Sequence, residues 1–166
     1  MFANFGITAK FTQNVKQIKN LIDGFAFIRK MEVVVGIPEE SDVARENGVT
    51  NSQLLYLHEN GVPSHNIPPR PVLKPAIAQE GVKEKIQSLM KDGMKEAMLH
   101  GDVERARMCY EKAGMIGRDA CKKYIQDGSH LAPNAPSTIA KKGSSLPLVD
   151  TGSMLNSITY AVRRKK

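Results

Sequence analysis

Tryptophan is absent from the 166 residues, and aromatic residues make up only 5%. The core must therefore be aliphatic, with the eight methionines as adaptable filler there or at a partner surface. Only two cysteines occur, Cys109 and Cys121, both within one predicted helix. Their separation spans ~18 Å along a helix axis, far beyond disulfide reach. They are expected to be reduced and packed, as in a cytosolic product. No stretch approaches the ~20 apolar residues of a membrane span. The opening MFANFGITAKF lacks a long apolar run followed by a small-residue cleavage site. A protein assembled in the cytoplasm, away from membranes, is the expectation. The glycines are scattered and no Gly-Lys-Ser/Thr occurs, so no phosphate loop is present. His58, His65, His100 and His130 pair with no other His or Cys at metal-ligand spacing, and no metal or other cofactor is expected.

What is present is enough for one domain spanning 1–166. Hydrophobic residues reach 41%, which excludes wholesale disorder. The net charge of +7 is concentrated: residues 141–166 hold Lys141, Lys142, Arg163, Arg164, Lys165 and Lys166 against Asp150 alone. Such a basic tail, 163–166 above all, is compatible with non-specific contact to passing DNA, with an acidic protein patch, or with plain solvation. No recognition motif or aromatic platform accompanies it.

Hydrophobic spacing gives the elements. Val15, Ile18, Leu21 and Ile22 predict a short amphipathic helix over 11–23, stopped by Gly24. The β-branched run Glu32–Ile37 predicts a strand buried on both faces, because it does not alternate. Residues 25–30, FAFIRK, are a candidate backward extension of it. Thr50 and Gln53 form a capping box for a helix over 51–60, with Gly61 as its stop and Leu54, Leu55 and Leu57 or His58 inward. Five prolines within 62–75 predict an extended arm, closed to helix and central strand alike. Two long helices follow, 77–100 and 102–127. The second has a small-residue stripe through Val103, Ala106, Tyr110, Ala113, Gly117, Ala120 or Cys121, and Tyr124. Residues 129–152 predict a long Pro/Gly/Ser-rich loop. A helical turn at Met154-Leu155 and a half-exposed strand through Ile158, Tyr160 and Val162 close the map. The class is α+β: a small antiparallel or mixed sheet packed by two long helices.

Leu148-Val149-Asp150-Thr151-Gly152 resembles the catalytic Asp-Thr-Gly sequence of aspartic proteases, where two aspartates share a proton. That chemistry belongs to an all-β fold, in conflict with a chain half helical by pattern. A turn capping the next element is the reading the residues favour.

Three local patterns go beyond composition. They are Val34-Val35-Gly36-Ile37-Pro38; Leu57-His58-Glu59-Asn60-Gly61 followed by Asn66-Ile67-Pro68-Pro69-Arg70-Pro71-Val72-Leu73-Lys74-Pro75-Ala76-Ile77; and Leu131-Ala132-Pro133-Asn134-Ala135-Pro136-Ser137-Thr138-Ile139-Ala140-Lys141-Lys142-Gly143 followed by Pro147-Leu148-Val149-Asp150-Thr151-Gly152-Ser153-Met154-Leu155-Asn156-Ser157-Ile158-Thr159-Tyr160. In this order, over about residues 30–162, the chain resembles the tailed-bacteriophage neck and tail-completion family, also labelled virion morphogenesis proteins or putative tail components. It departs from that pattern at Val72, where an aromatic is common, and in its longer helical middle, 77–127.

The resemblance implies a non-enzymatic subunit of a hexameric or twelvefold ring in the virion neck. Such a ring joins the portal and adaptor side to the tail tube or tail terminator, and the family offers no catalytic residue to transfer. A tail terminator or minor tail protein is the neighbouring alternative, and a non-specific DNA-binding protein is one of another class. The expected intersubunit contacts are Pro68, Pro69, Arg70, Pro71 and Leu73 of the arm with Pro133, Pro136, Leu148, Asp150 and Thr151 of the loop. Stiff proline segments lose little entropy on docking.

Overall fold

The computed structural model describes residues 5–42, 44 and 48–165. Among them are seven α-helices and one two-stranded antiparallel sheet, in the order α1 (Phe5–Lys30), β1 (Met31–Gly36), α2 (Asn51–Asn60), α3 (Leu73–Ala78), α4 (Val82–Lys95), α5 (Val103–Asp127), α6 (Pro136–Lys142), α7 (Ser153–Ser157) and β2 (Thr159–Arg164). The α+β class expected from the pattern is the one observed.

The small-residue stripe makes α5 the spine. Ala106, Tyr110, Ala113, Gly114, Gly117, Ala120, Cys121 and Ile125 are buried along it. α4 and both strands pack on this helix. The absent side chains of Gly114 and Gly117 explain the close approach: a Cβ at Gly117 would lie 2.9 Å from a Val35 methyl, and one at Gly114 would run into the Tyr160 ring. Val35 and Tyr160 are cross-strand partners, so this is the sheet face that meets α5. The main core joins Val72, Ala76, Cys121, Ile125, Leu131, Leu155 and Ile158, drawing on the arm, the loop and the closing segment alike.

Several boundaries depart from expectation. α1 does not stop at Gly24 but runs to Lys30, so FAFIRK is helix and not strand. Gly24 lacks the positive φ of a terminating glycine and is buried against Ala97 and Met98. Phe27, one turn on, stacks on Tyr110 at 6.1 Å. The face that docks therefore carries Asn20, Gly24 and Phe27, while the apolar stripe that predicted the helix points outward: Val15, Ile18, Leu21 and Ile22 are exposed, as is Phe25 on the next turn.

β1 is half-exposed along its whole length rather than buried on both faces; among the described residues, α5 supplies most of the sheet's cover. The predicted helix 77–100 is split. Gln79 is extended, Gly81 has φ +80°, and α4 passes into a single π-helical turn, Glu96–His100, before Gly101. The arm is not extended throughout, since α3 begins at Leu73 and contains Pro75. That proline sits in the first turn, where a backbone N–H has no intrahelical acceptor to lose. The 129–152 loop likewise holds α6, opened by Pro136 in its first turn and closed by a left-handed Gly143.

Candidate functional site

The capping box of α2 forms as expected, with the Thr50 side chain accepting from Gln53 N and the Gln53 side chain from Thr50 N. After Gly61, Val62 and Ile67 exchange backbone hydrogen bonds at 2.8 and 3.1 Å around a tight turn. The chain then folds back along α2: Arg70 N donates to the His58 carbonyl at 2.6 Å. Glu59, near the end of α2, accepts from Val72 N at 2.7 Å and Leu73 N at 2.8 Å through one carboxylate oxygen. A side chain from one helix thus caps the start of the next, α3, whose own cap residue supplies none. Glu59→Gln keeps the acceptor but loses its charge, and charge-assisted bonds are about twice as strong as neutral ones. We expect it to lower unfolding free energy by about 1 kcal/mol, read by urea denaturation. An unchanged midpoint would mean that the cap carries no weight.

Arg70 is the buried charge of the arm, 6% exposed. Its Nε donates to the Ala132 carbonyl at 2.7 Å and its Nη2 to the Pro133 carbonyl at 2.9 Å. Burial lowers its pKa from the ordinary guanidinium value. The closing segment is attached to α2 in a similar way. Asn51, fully buried, donates through Nδ2 to Ser153 Oγ at 3.0 Å and Ser157 Oγ at 2.9 Å.

Within Asp-Thr-Gly the Thr151 hydroxyl accepts from Ser153 N at 3.3 Å, and Gly152, at φ +78°, precedes α7. Leu148, just before it, adopts φ +62° and packs against the core. Asp150 and Thr151 are exposed.

These contacts frame a cleft of about 800 Å³ between arm and loop. Pro68, Arg70, Pro133, Leu148 and Asp150 line it together. The other expected contact residues lie elsewhere: Pro69, Pro71, Pro136 and Thr151 are exposed outside the cleft, and Leu73 turns toward the core. His58, Thr138 and Lys142 also line the cleft and were not among the expected contact residues. The sequence marks His58 only as an inward alternative to Leu57, and Lys142 only as part of the basic run. In the structure His58 is half-buried and Leu57 is 37% exposed.

The basic end is broader than the C-terminal run. Antiparallel pairing sets Arg163 opposite Glu32 and Arg164 opposite Met31, and Lys165 N donates to the Lys30 carbonyl at 2.7 Å. A second cleft, about 430 Å³, brings Lys30 and Arg107 beside Arg163 and Arg164. Lys30 and Arg107 were not expected there; the signal for Lys30 was its place directly before a strand that pairs with the basic one. Arg163 is partly neutralised, with Nε 2.9 Å from the Glu32 carboxylate. Lys166 lies outside the described residues.

Both cysteines are free thiols, Cys109 half-buried and Cys121 buried. Burial, with the charge of Glu59 nearby, pushes the Cys121 thiol up to about 12. Folded protein should therefore show one thiol reactive toward a disulfide reagent near pH 8, and the second only after denaturation. Two equally fast thiols would contradict the packing of Cys121. Among the described residues no helix is long and apolar enough to cross a membrane, and no group of three or more His, Cys, Asp or Glu could hold a metal ion. In comparisons with known proteins, no family model, no curated protein and no solved structure matches the chain.

Proposed function

We propose that this chain is a structural, non-enzymatic subunit of a tailed-phage neck, forming a ring that joins the portal and adaptor side of the head to the tail tube or tail terminator. The observation that carries the reading is the ordered set of motifs in 30–162, whose residues make the joints of the fold. Glu59 ties the arm to α2, Arg70 ties the arm to the loop, and Ser153 and Ser157 tie the closing segment to Asn51 of α2. The likeness thus concerns an architecture more than a reaction centre. Pro68, Pro69, Pro71, Pro133 and Pro136 stay exposed around those joints. They form a stiff surface that neighbouring subunits contact with little entropic cost. The cleft between arm and loop is part of what the ring presents to its partners.

Cryo-electron microscopy of particles carrying this protein tests the reading. A ring of this fold is expected between portal and tail, and particles lacking the chain should stop as filled heads and separate tails. Tailed, infectious particles without the chain would refute it. A second reading, non-specific DNA binding, is favoured by the joined basic end. Free subunits would then bind duplex DNA with steep salt dependence, lost in Arg164→Glu/Lys165→Glu.

A further inference from the structure

α1 projects an apolar stripe that the other described residues leave exposed. Val15, Ile18, Ile22 and Phe25 alternate by three and four, with Leu21 beside them, and their exposures run from 42% to 63%. At 3.6 residues per turn they share an arc of about 120°, a width typical of a buried helix face. The helix is also strongly basic, with Lys10, Lys16, Lys19, Arg29 and Lys30 against Asp23.

A complementary surface lies at the other end of β1. Tyr56 is 69% exposed and Leu57 37%, and with Val49 they wall an open apolar cleft on α2. Ser52 and Gln53 line both this cleft and its neighbour, which carries Glu39 and Asp42. The stretch 39–58 holds Glu39, Glu40, Asp42 and Glu46 against Arg45 alone. Partial burial pushes the Asp42 pKa up, but hydrogen bonds from Ser52, Thr50 and the backbone outweigh it, so the carboxyl titrates below its ordinary value. β1 leads from α1 to this acidic surface over six residues, roughly 20 Å of strand. One subunit thus carries a basic apolar ridge and an acidic apolar cleft at opposite ends, as a head-to-tail ring requires.

We propose that the α1 stripe docks on the Tyr56–Leu57 surface of the next copy of this chain, with Lys16 and Lys19 facing Glu39, Glu40 and Asp42. The inference rests on the ring-subunit reading and names the contact that closes the ring. Pairing of α1 with a second α1 would set lysines against lysines and give a closed dimer instead.

Sedimentation velocity on the full chain, over a concentration series, tests it. Wild type should form oligomers. Ile18→Asp/Ile22→Asp and Tyr56→Asp, all at exposed positions, should each be monomeric with unchanged circular dichroism. Loss of two buried isoleucines corresponds to roughly a hundredfold or more in affinity. Mixing the two variants should restore a one-to-one dimer, since each keeps the surface that the other lacks. Lys16→Glu/Lys19→Glu should weaken association about tenfold, and adding Glu39→Lys/Glu40→Lys to the same chain should restore it.

The proposal fails if wild type is monomeric at every soluble concentration, if the Ile18→Asp/Ile22→Asp chain assembles normally, or if the mixture stays monomeric. It also fails if Tyr56→Asp still dimerises while the α1 variant does not, which would mean α1 pairs with itself. Assembly through this contact by a protein absent from the neck would sink the functional reading alone. A neck ring that tolerates the α1 variant would sink this interface alone.

Discussion

Arg70→Ala will lower the unfolding free energy by about 4 kcal/mol and release the 129–152 segment to protease. Two short hydrogen bonds from one buried guanidinium join arm to loop, at 2.7 and 2.9 Å. Bonds to a charged donor contribute about 1.5–3 kcal/mol each, and both vanish together. Alanine also leaves a void beside the α2 end, where the Arg70 backbone is held by the His58 carbonyl. Arg70→Lys should recover less than half of the loss, because an ammonium is a point charge and cannot span two carbonyls in a fixed plane. Chemical denaturation gives the energy, and limited proteolysis followed by mass spectrometry locates the cuts. If Arg70→Ala unfolds at the wild-type midpoint and is cut no faster between 129 and 152, the arm–loop joint is not held by this residue.

Gly24→Val will detach α1 from the body, at a cost of about 3 kcal/mol. A Cβ at Gly24 would sit inside contact distance of the Ala97 carbonyl and 2.8 Å from Met98 Cα. Those obstacles are backbone atoms in the π-helical turn, so they cannot rotate aside as a side chain would. Overpacking of this kind costs about 1–3 kcal/mol, and obstacles that cannot yield place Gly24→Val at the upper end. α1 makes most of its contacts with that one turn, so the expected failure is local. Amide exchange across 12–30 should rise toward that of an isolated helix, while α5 keeps its protection. Uniform loss across the whole chain, or no loss, would show that α1 is not anchored at this crossing.

The contrast between those two sites shows which parts of the fold could be read in the sequence. Local chemistry was legible: Thr50 with Gln53, Asp102 accepting from Arg105 N at 2.8 Å, and the left-handed Gly128 all cap helices as their residue types predict. So was the stripe of α5, because a long run of small residues at helical spacing has few other uses. Gly24 misled because a glycine that ends a helix and one that admits a neighbouring backbone are the same letter. What decides between them is Ala97, more than seventy residues away. Pro75 and Pro136 misled for a related reason. Proline is excluded from helix interiors but welcome in the first turn, and only the structure places the start.

The candidate site was legible in part. The cleft gathers Pro68, Arg70, Pro133, Leu148 and Asp150 from two segments about sixty residues apart; their shared composition marks both segments as contacts between subunits, and gives no sign that they meet within one chain. The arm's inner face, however, is spent within its own chain: Arg70 bonds the loop and Val72 is fully buried. A sequence reading counts polar and proline residues without knowing which side of the segment they occupy. The basic end shows the same limit. Strand register, a relation between residues about 130 positions apart, brings Lys30 to Arg164 and Lys165.

That register has a consequence for biosynthesis. β1 is made early, but its partner, β2, follows only after about 120 further residues. Until β2 emerges from the ribosome, β1 has no strand to pair with, and the core lacks Leu155 and Ile158. Such long-range closure is slow and comes last. A chain broken off before residue 159 would keep α1 and the acidic residues Glu39, Glu40 and Asp42, yet β1, the segment that joins them, would have no partner strand. In a ring of the kind proposed above, a prematurely terminated subunit would then join its two docking surfaces through an unpaired strand, and would compete poorly with full-length copies.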